Sequence, residues 1–487
     1  MSLMTIFLYV AIVAALLTAF FHFGLKRVQN PGLSFLQNFA GALFVFSGFV
    51  KVVDPLGTAY KLEEYFAEFE SLFQHTWFSF LSPVFPWMGS HAVGFSVFVI
   101  ILEIVLGIML IIGAAPRFTA RAFFLLILFF TALTGFTYLT GYVPEGATFF
   151  EFGKWGKFAA SNMKVTDCGC FGDFIKLSPK TSFFKDVFLL IPALIFLFGF
   201  RQMHQLFNTA ARTAITGISA VALLFYAWSN YKWNLPDFDF RPFKVGVDIA
   251  EQKALEAEAQ ANVKILAYRM TNKETGEVVQ LSYDDYMKDF KKYPKEKWDL
   301  EQVRSEPEIA PTKISDFEFS DADGNDVTEE FLGAEGTHYL IVAVKLPYEK
   351  EVQTITRQDT LFVVDTVQVA PDSIVLQRKI GEVKTIEEEA VSYRFDEDYL
   401  KRYDAMLKLA DKALQEGKKV HLVTAYNDPA VIEAFKKELG ISFPVYLADD
   451  ILLKTIIRSN PGLVEMDGGK ITGKWHYRPF AKKFGRQ

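Results

Sequence analysis

Residues 91–114 read HAVGFSVFVIILEIVLGIMLIIGA, a continuous apolar run with one charge, Glu103, near its middle. About 18 or more apolar residues suffice to carry a helix across a bilayer, so the run predicts a membrane-spanning helix. Five further stretches pass the same test: 4–22, 35–53, 119–141, 183–200 and 212–229. The first lacks a basic leader and is followed by Lys26 and Arg27 rather than a small-residue cleavage site, so it is expected to be a retained helix. Residues 1–230 are therefore expected to form a membrane all-α bundle of six transmembrane helices.

The loops set the expected orientation. Those after the first, third and fifth helices carry Lys26, Arg27, Arg117, Arg121, Arg201 and Arg212 and no acid, whereas the loop after the second carries Glu63, Glu64, Glu68 and Glu70. Short basic loops stay in the cytoplasm. In a bacterial inner membrane both termini would then face the periplasm, with the loop near residue 170 and everything beyond about residue 230. Trp228, Tyr231 and Trp233 suit an interfacial belt. The net charge of −6 and the lack of a basic cluster give no support to nucleic acid as a partner.

The composition changes after residue 230. Residues 231–311 read as an extended linker with a hairpin, Lys264–Arg269 and Val278–Ser282 flanking the turn at Asn272–Gly276. Residues 312–487 alternate strands and helices: strands at His338–Val344, Val420–Thr424 and Phe443–Leu447, helices at Asp396–Glu416, Asp428–Leu439 and Leu452–Ile457, and a closing hairpin over 462–475. That alternation predicts an α/β domain. A tight turn is expected at Asp321–Asp326, whose glycine is misplaced for a calcium loop.

The only two cysteines of the 487 residues stand one apart, in Asp167-Cys168-Gly169-Cys170-Phe171-Gly172-Asp173. A Cys-x-Cys pair closes a small, strained ring that is easily reduced, and Gly169 and Gly172 permit the backbone angles it needs. In an oxidising compartment this predicts a working dithiol. An inert buried pair and a zinc site that includes Asp167 are the rival readings, the latter short of ligands because the loop has no histidine; no metal is expected. Asp167 and Asp173 would raise the thiol pKa values, and Lys164 and Lys176 would oppose them.

Glu103, at mid-membrane depth, is either a proton-relay or quinone-site residue or a packing carboxylate bonded to a neighbouring helix through Thr131 or Thr134. Lys51 and Asp54, at the end of the second run, fit a snorkelling lysine and a helix-ending Asp-Pro. His91 and His204, at helix ends, fit interfacial positions.

The pattern Phe44-x-x-Ser47-Gly48-x-x-Lys51-x-x-Asp54-Pro55, with Glu103-x-x-x-Gly107, resembles the DoxX-like family of membrane proteins. The 168–172 loop leading into the Lys185–Phe200 helix is similar to the MauE/DoxX redox-associated branch. The resemblance covers roughly residues 35–200. It implies a four-helix core tied to thiol–disulfide chemistry, with a quinone as the possible cofactor. The tail from 312 looks like a thioredoxin fold, on Ser459-Asn460-Pro461-Gly462 before a strand and a Gly-Gly-Lys turn, which implies a cis bond at Pro461. Where that family carries Cys-x-x-Cys, this chain has Leu346-Pro347-Tyr348-Glu349, so the implied domain binds rather than reacts. The combined architecture resembles one found in Bacteroidota.

Two functions follow as expectations. The first is an inner-membrane thiol–disulfide redox protein in which Cys168 and Cys170 exchange electrons with a partner protein or quinone. Glu103 would serve the proton or quinone step, and the tail would recruit the partner. The second is a non-catalytic periplasmic scaffold or assembly subunit of an envelope or secretion complex.

Overall fold

The computed structural model describes residues 2–74, 76–165, 169–370, 373–425 and 428–484. The chain forms two compact units, 1–244 and 245–487.

The first unit is helical. Its long helices are α1 (Leu3–Ala19, extended by a π turn to Gly24), α2 (Pro31–Val53), α3 (Pro55–Gln74), then a short α4 (Val84–Ser90), α5 (Ala92–Ile112), α6 (Pro116–Thr140), α7 (Pro179–Gly199) and α8 (Thr209–Trp228). Among the described residues, six helices are long and apolar enough to cross a membrane: all the long ones except α3. Their ends follow local rules. Asn30 and Ser178 cap α2 and α7 by accepting the amides of Leu33 and Thr181, and each cap is followed by proline at the first helical position. Gly113 ends α5 in the left-handed conformation at φ 67°.

The pair α2 and α5 is the most buried of the six. They meet where side chains are absent. A Cβ on Gly48 would lie 2.3 Å from Cγ1 of Ile104, and one on Gly107 would lie 2.7 Å from the Gly41 carbonyl. Small residues that let helix backbones approach are the usual device where lipid supplies no hydrophobic drive for association. Here the device brings the Lys51 turn of α2 against the Glu103 turn of α5.

The chain bends at Asp54-Pro55 and continues as α3, which the sequence reading left without an element. Its acidic residues alternate with Leu62, Tyr65 and Phe66, all buried against α5 and α6. His204 is likewise buried, not interfacial; its ring nitrogens lie 2.7 Å from the Ser34 hydroxyl and 2.8 Å from the Ile111 carbonyl.

The second unit opens with α9 (Ile249–Ala261), followed by an antiparallel sheet ordered β2–β1–β3. β1 (Ile265–Asn272) and β2 (Val278–Ser282) are the expected hairpin, while β3 (Trp298–Arg304) and α10 (Tyr283–Asp289) were not foreseen. The main sheet is five-stranded and mixed, in the order β10–β9–β4–β7–β8. It comprises β4 (Thr337–Ala343), β7 (Val420–Ala425), β8 (Val445–Ala448), β9 (Gly462–Asp467) and β10 (Lys470–His476). β4, β7 and β8 run parallel; β9 and β10 are antiparallel to their neighbours.

Ile341, Ala343, Leu422 and Leu463 point to one face of this sheet. They pack there on α13 (Asp404–Gln415), α14 (Pro429–Leu439) and α16 (Tyr477–Phe484). His338 and His421 face the other side, against Phe331 of α11 (Thr328–Leu332). The helix expected over 396–416 is broken into α12 (Glu397–Leu400), a 3-10 turn and α13. The short α15 (Asp450–Ile456) precedes Pro461, whose peptide bond is cis. Between β4 and α12 stands a two-stranded ribbon, β5 (Tyr348–Ala370) with β6 (Ser373–Phe395), for which the sequence reading offered no element.

Candidate functional site

Ser47 and Lys51 stand one turn apart on α2 and point to the same side. The Lys51 ammonium is not snorkelling outward. It is buried, 2.8 Å from Oε2 of Glu103, and lies 5.2 Å above the Phe130 ring. One of the two readings of Glu103 bonded it to a threonine of the fourth run. Instead Thr131 turns back to its own helix carbonyl, and Thr134 donates to Oδ2 of Asp186 at 3.0 Å.

Asp186 belongs to a second buried pair. Lys185 lies 2.5 Å from its Oδ1, and the Asp186 side chain is wholly buried. Ser182, Lys185, Asp186 and Leu189 follow the i, i+3, i+4, i+7 spacing that defines one helix face, so the first turns of α7 deliver all four to the bundle interior. The sequence reading missed Lys185 and Asp186 because they sit at the head of an apolar run, where charged residues pass for interfacial anchors. The signal was their spacing with Ser182.

The cysteine loop lies over these pairs. The Ser47 hydroxyl donates to the Cys170 carbonyl at 2.9 Å, and Phe171 is buried beside it. Gly169 and Gly172 both adopt positive φ, at 57° and 53°, and the Gly172 amide closes a turn onto the Gly169 carbonyl at 3.1 Å. A left-handed turn of this kind is where glycine is required. α3 covers the loop, its Lys61 stem 3.4 Å from where a Gly169 Cβ would stand. Cys168 and Asp167 lie outside the described residues. Cys170 is half-buried, with no disulfide partner among the described residues. Burial pushes that thiol above its usual pKa; Lys185 opposes the shift, Asp186 adds to it and Lys51 opposes it.

Cys170, Lys51, Glu103, Lys185 and Asp186 line one cavity of about 70 Å³, with Ser47, Thr134 and Tyr65. A cavity of this size, walled mostly by apolar side chains around these charges, has room for a few waters. The arrangement suits proton exchange between a thiol and buried, charge-balanced ion pairs. Among the described residues, no group of three histidine, cysteine or acidic side chains is placed to hold a metal ion.

In the second unit the segment after β4 contains no cysteine. The Tyr399 hydroxyl donates to the Lys345 carbonyl at 2.8 Å and lies 2.6 Å from the Tyr403 hydroxyl, while the Asn460 amide donates to the same carbonyl at 2.8 Å. Arg402 stacks over the rings of Tyr399 and Tyr477. This locus is filled by a packed polar network that contains no nucleophile.

Compared with family models, curated proteins and solved structures, the chain matches none. The six apolar helices associate this protein with a lipid bilayer, and its second unit is a mixed-sheet α/β structure.

Proposed function

We propose that the protein is an inner-membrane thiol–disulfide redox protein whose Cys168 and Cys170 exchange electrons with a partner protein at the periplasmic face. The DoxX-like resemblance of residues 35–200, the thioredoxin-like reading of the tail and the outward orientation of both termini are parts of the same proposal. One observation carries it: the Cys170 thiol shares a small cavity with two buried ion pairs. Buried charge at membrane depth is expensive and is normally retained for function. An inert packing thiol has no need of it.

The exchange balances without a metal. One thiolate attacks the partner's disulfide to form a mixed disulfide, and the second thiol resolves it. Two electrons pass to the partner, which leaves as a dithiol after taking up two protons. The reverse sequence carries electrons the other way. Acid quenching and thiol alkylation in intact cells test the proposal, with the cysteines read by mass spectrometry under oxidising and reducing stress. A pair that moves between dithiol and disulfide supports it; a pair fixed in one state removes it.

A specific observation favours the scaffold as a second reading. The β5–β6 ribbon displays Val352, Phe362, Val363 and Ile380 more than half exposed, in a unit with no cysteine. A two-stranded ribbon is marginal alone and its unpaired edges are natural pairing surfaces. Copurification that depends on the ribbon and is indifferent to both thiols would favour this reading.

A further inference from the structure

The redox reading assigns no part to Lys51, Lys185 or Asp186, yet these residues, with Glu103, account for most of the charge around Cys170. The four charges come from three helices and sum to zero: Lys51 on α2, Glu103 on α5, and Lys185 and Asp186 on α7. Two further groups of α3 that line the cavity are engaged elsewhere. On α3, Lys61 is paired with Glu64 at 2.9 Å, and the Tyr65 hydroxyl meets Thr137 of α6 at 2.6 Å. Ser47, Thr134 and Ser182 contribute neutral hydroxyls.

A thiolate formed in this cavity by loss of its proton to solvent would leave an uncompensated charge in a poorly solvated place. Transfer of the same proton to a carboxylate of the cluster keeps the total at zero. Asp186 and Glu103 both line the cavity with the thiol, and Asp186 stands beside Lys185 on the face of α7 that turns to it. Asp186 is also held in place from two sides, by Lys185 on one oxygen and Thr134 on the other.

We propose that Asp186 is the proton acceptor for the Cys170 thiol, with Lys185 and Lys51 as positioning residues whose ammonium groups hold the thiolate. The S–H bond breaks, an O–H bond forms on the Asp186 carboxyl, and the Lys185 ammonium, freed of its counter-charge, shares the cavity with the sulfur. No electrons change hands. The use of this step in electron exchange rests on the redox reading; the proton transfer does not.

The test uses the full-length protein in detergent, with Cys168→Ser so that one thiol remains. The rate of Cys170 alkylation by iodoacetamide is followed by mass spectrometry from pH 5 to 9. An internal proton transfer leaves a fixed share of thiolate whatever the bulk pH, so the rate is expected to level to a plateau on the acid side. Asp186→Asn should abolish the plateau, leaving a rate that falls about tenfold per pH unit. Asp186→Glu should keep it. Lys185→Met should lower it by about tenfold or more, and Lys185→Arg should restore it.

A wild-type rate that falls about tenfold per unit throughout, or a plateau that survives in Asp186→Asn, overturns the proposal. Should Asp186→Asn fail to fold, the wild-type plateau and its retention in Asp186→Glu decide the matter. The measurement needs one cysteine only. A plateau beside a cysteine pair fixed in one state in cells therefore upholds the proton step and removes its redox use.

Discussion

Nζ of Lys51 and Oε2 of Glu103 are 2.8 Å apart, with both side chains under one-tenth exposed. They lie on helices held close by Gly48 and Gly107. This makes the pair a lock between α2 and α5 as well as a wall of the thiol cavity. Removing one partner of a buried pair leaves an unpaired buried charge, typically at a loss of about 3–5 kcal/mol, whereas an apolar replacement of both is often near neutral. Lys51→Met and Glu103→Gln should each lower the thermal midpoint in detergent strongly. The double variant Lys51→Met/Glu103→Leu should recover most of that loss. Equal damage in the single and double variants would show that the pair does not act as a unit.

Gly48 tests the close approach itself. A valine there drives its Cβ into Ile104 and should destabilise the bundle by about 1–3 kcal/mol, the usual range for overpacking. Ile104→Ala should relieve Gly48→Val in part, since the obstructing atom belongs to that side chain. Differential scanning fluorimetry of the three variants checks this; no relief in the double variant would mean that the helices are not in contact there.

His421 gives the second unit an acid-sensitive point. Burial holds its pKa down at about 4, with His338 and Lys419 adding to the shift, and neither ring nitrogen of His421 has a hydrogen-bond partner among the described residues. A depressed histidine pKa means that the unfolded chain binds the proton more readily. Stability is therefore full above about pH 6.5, the unfolded value, and is lost as pH falls toward 4, by on the order of 3 kcal/mol over the window. Hydrogen exchange in β7 peptides of the full chain, corrected for the intrinsic pH dependence, should show this loss. It should be much weaker in His421→Phe. His338, depressed for the same first reason, leaves a residue of the effect.

Tyr399→Phe removes a hydroxyl that donates to the Lys345 carbonyl and meets Tyr403. The lost bond and the polar group left behind should lower stability by about 1–2 kcal/mol. Because the site holds no nucleophile, the in-cell redox state of Cys170 should not change. A redox effect of this substitution would connect the two units functionally.

Element type was legible wherever a single period dominates. The six apolar runs, the hairpin before residue 283 and the strands at 338, 420 and 463 follow directly from it. α3 was missed because its acidic residues mask a buried face, and the β5–β6 ribbon because long exposed strands mix apolar and charged residues without strict alternation. At the site, the sequence singled out Cys170 and Glu103 as unusual residues. It misassigned Lys51 as snorkelling and did not pair it with Glu103. A lysine near the end of an apolar run has the same local pattern whether it faces headgroups or another helix.

The sequence alone determined that there are six helical stretches long and apolar enough to cross a membrane, an α/β tail and a lone pair of cysteines, since hydropathy, period and residue count are properties of the chain itself. Only the tertiary structure decided that Lys51 meets Glu103, that Lys185 and Asp186 turn inward with Thr134, and that all four share a cavity with Cys170. These meetings depend on the rotation of α2, α5 and α7 about their axes. Side-chain packing at sites such as Gly48 and Ile104 sets that rotation, and no local stretch of sequence encodes it.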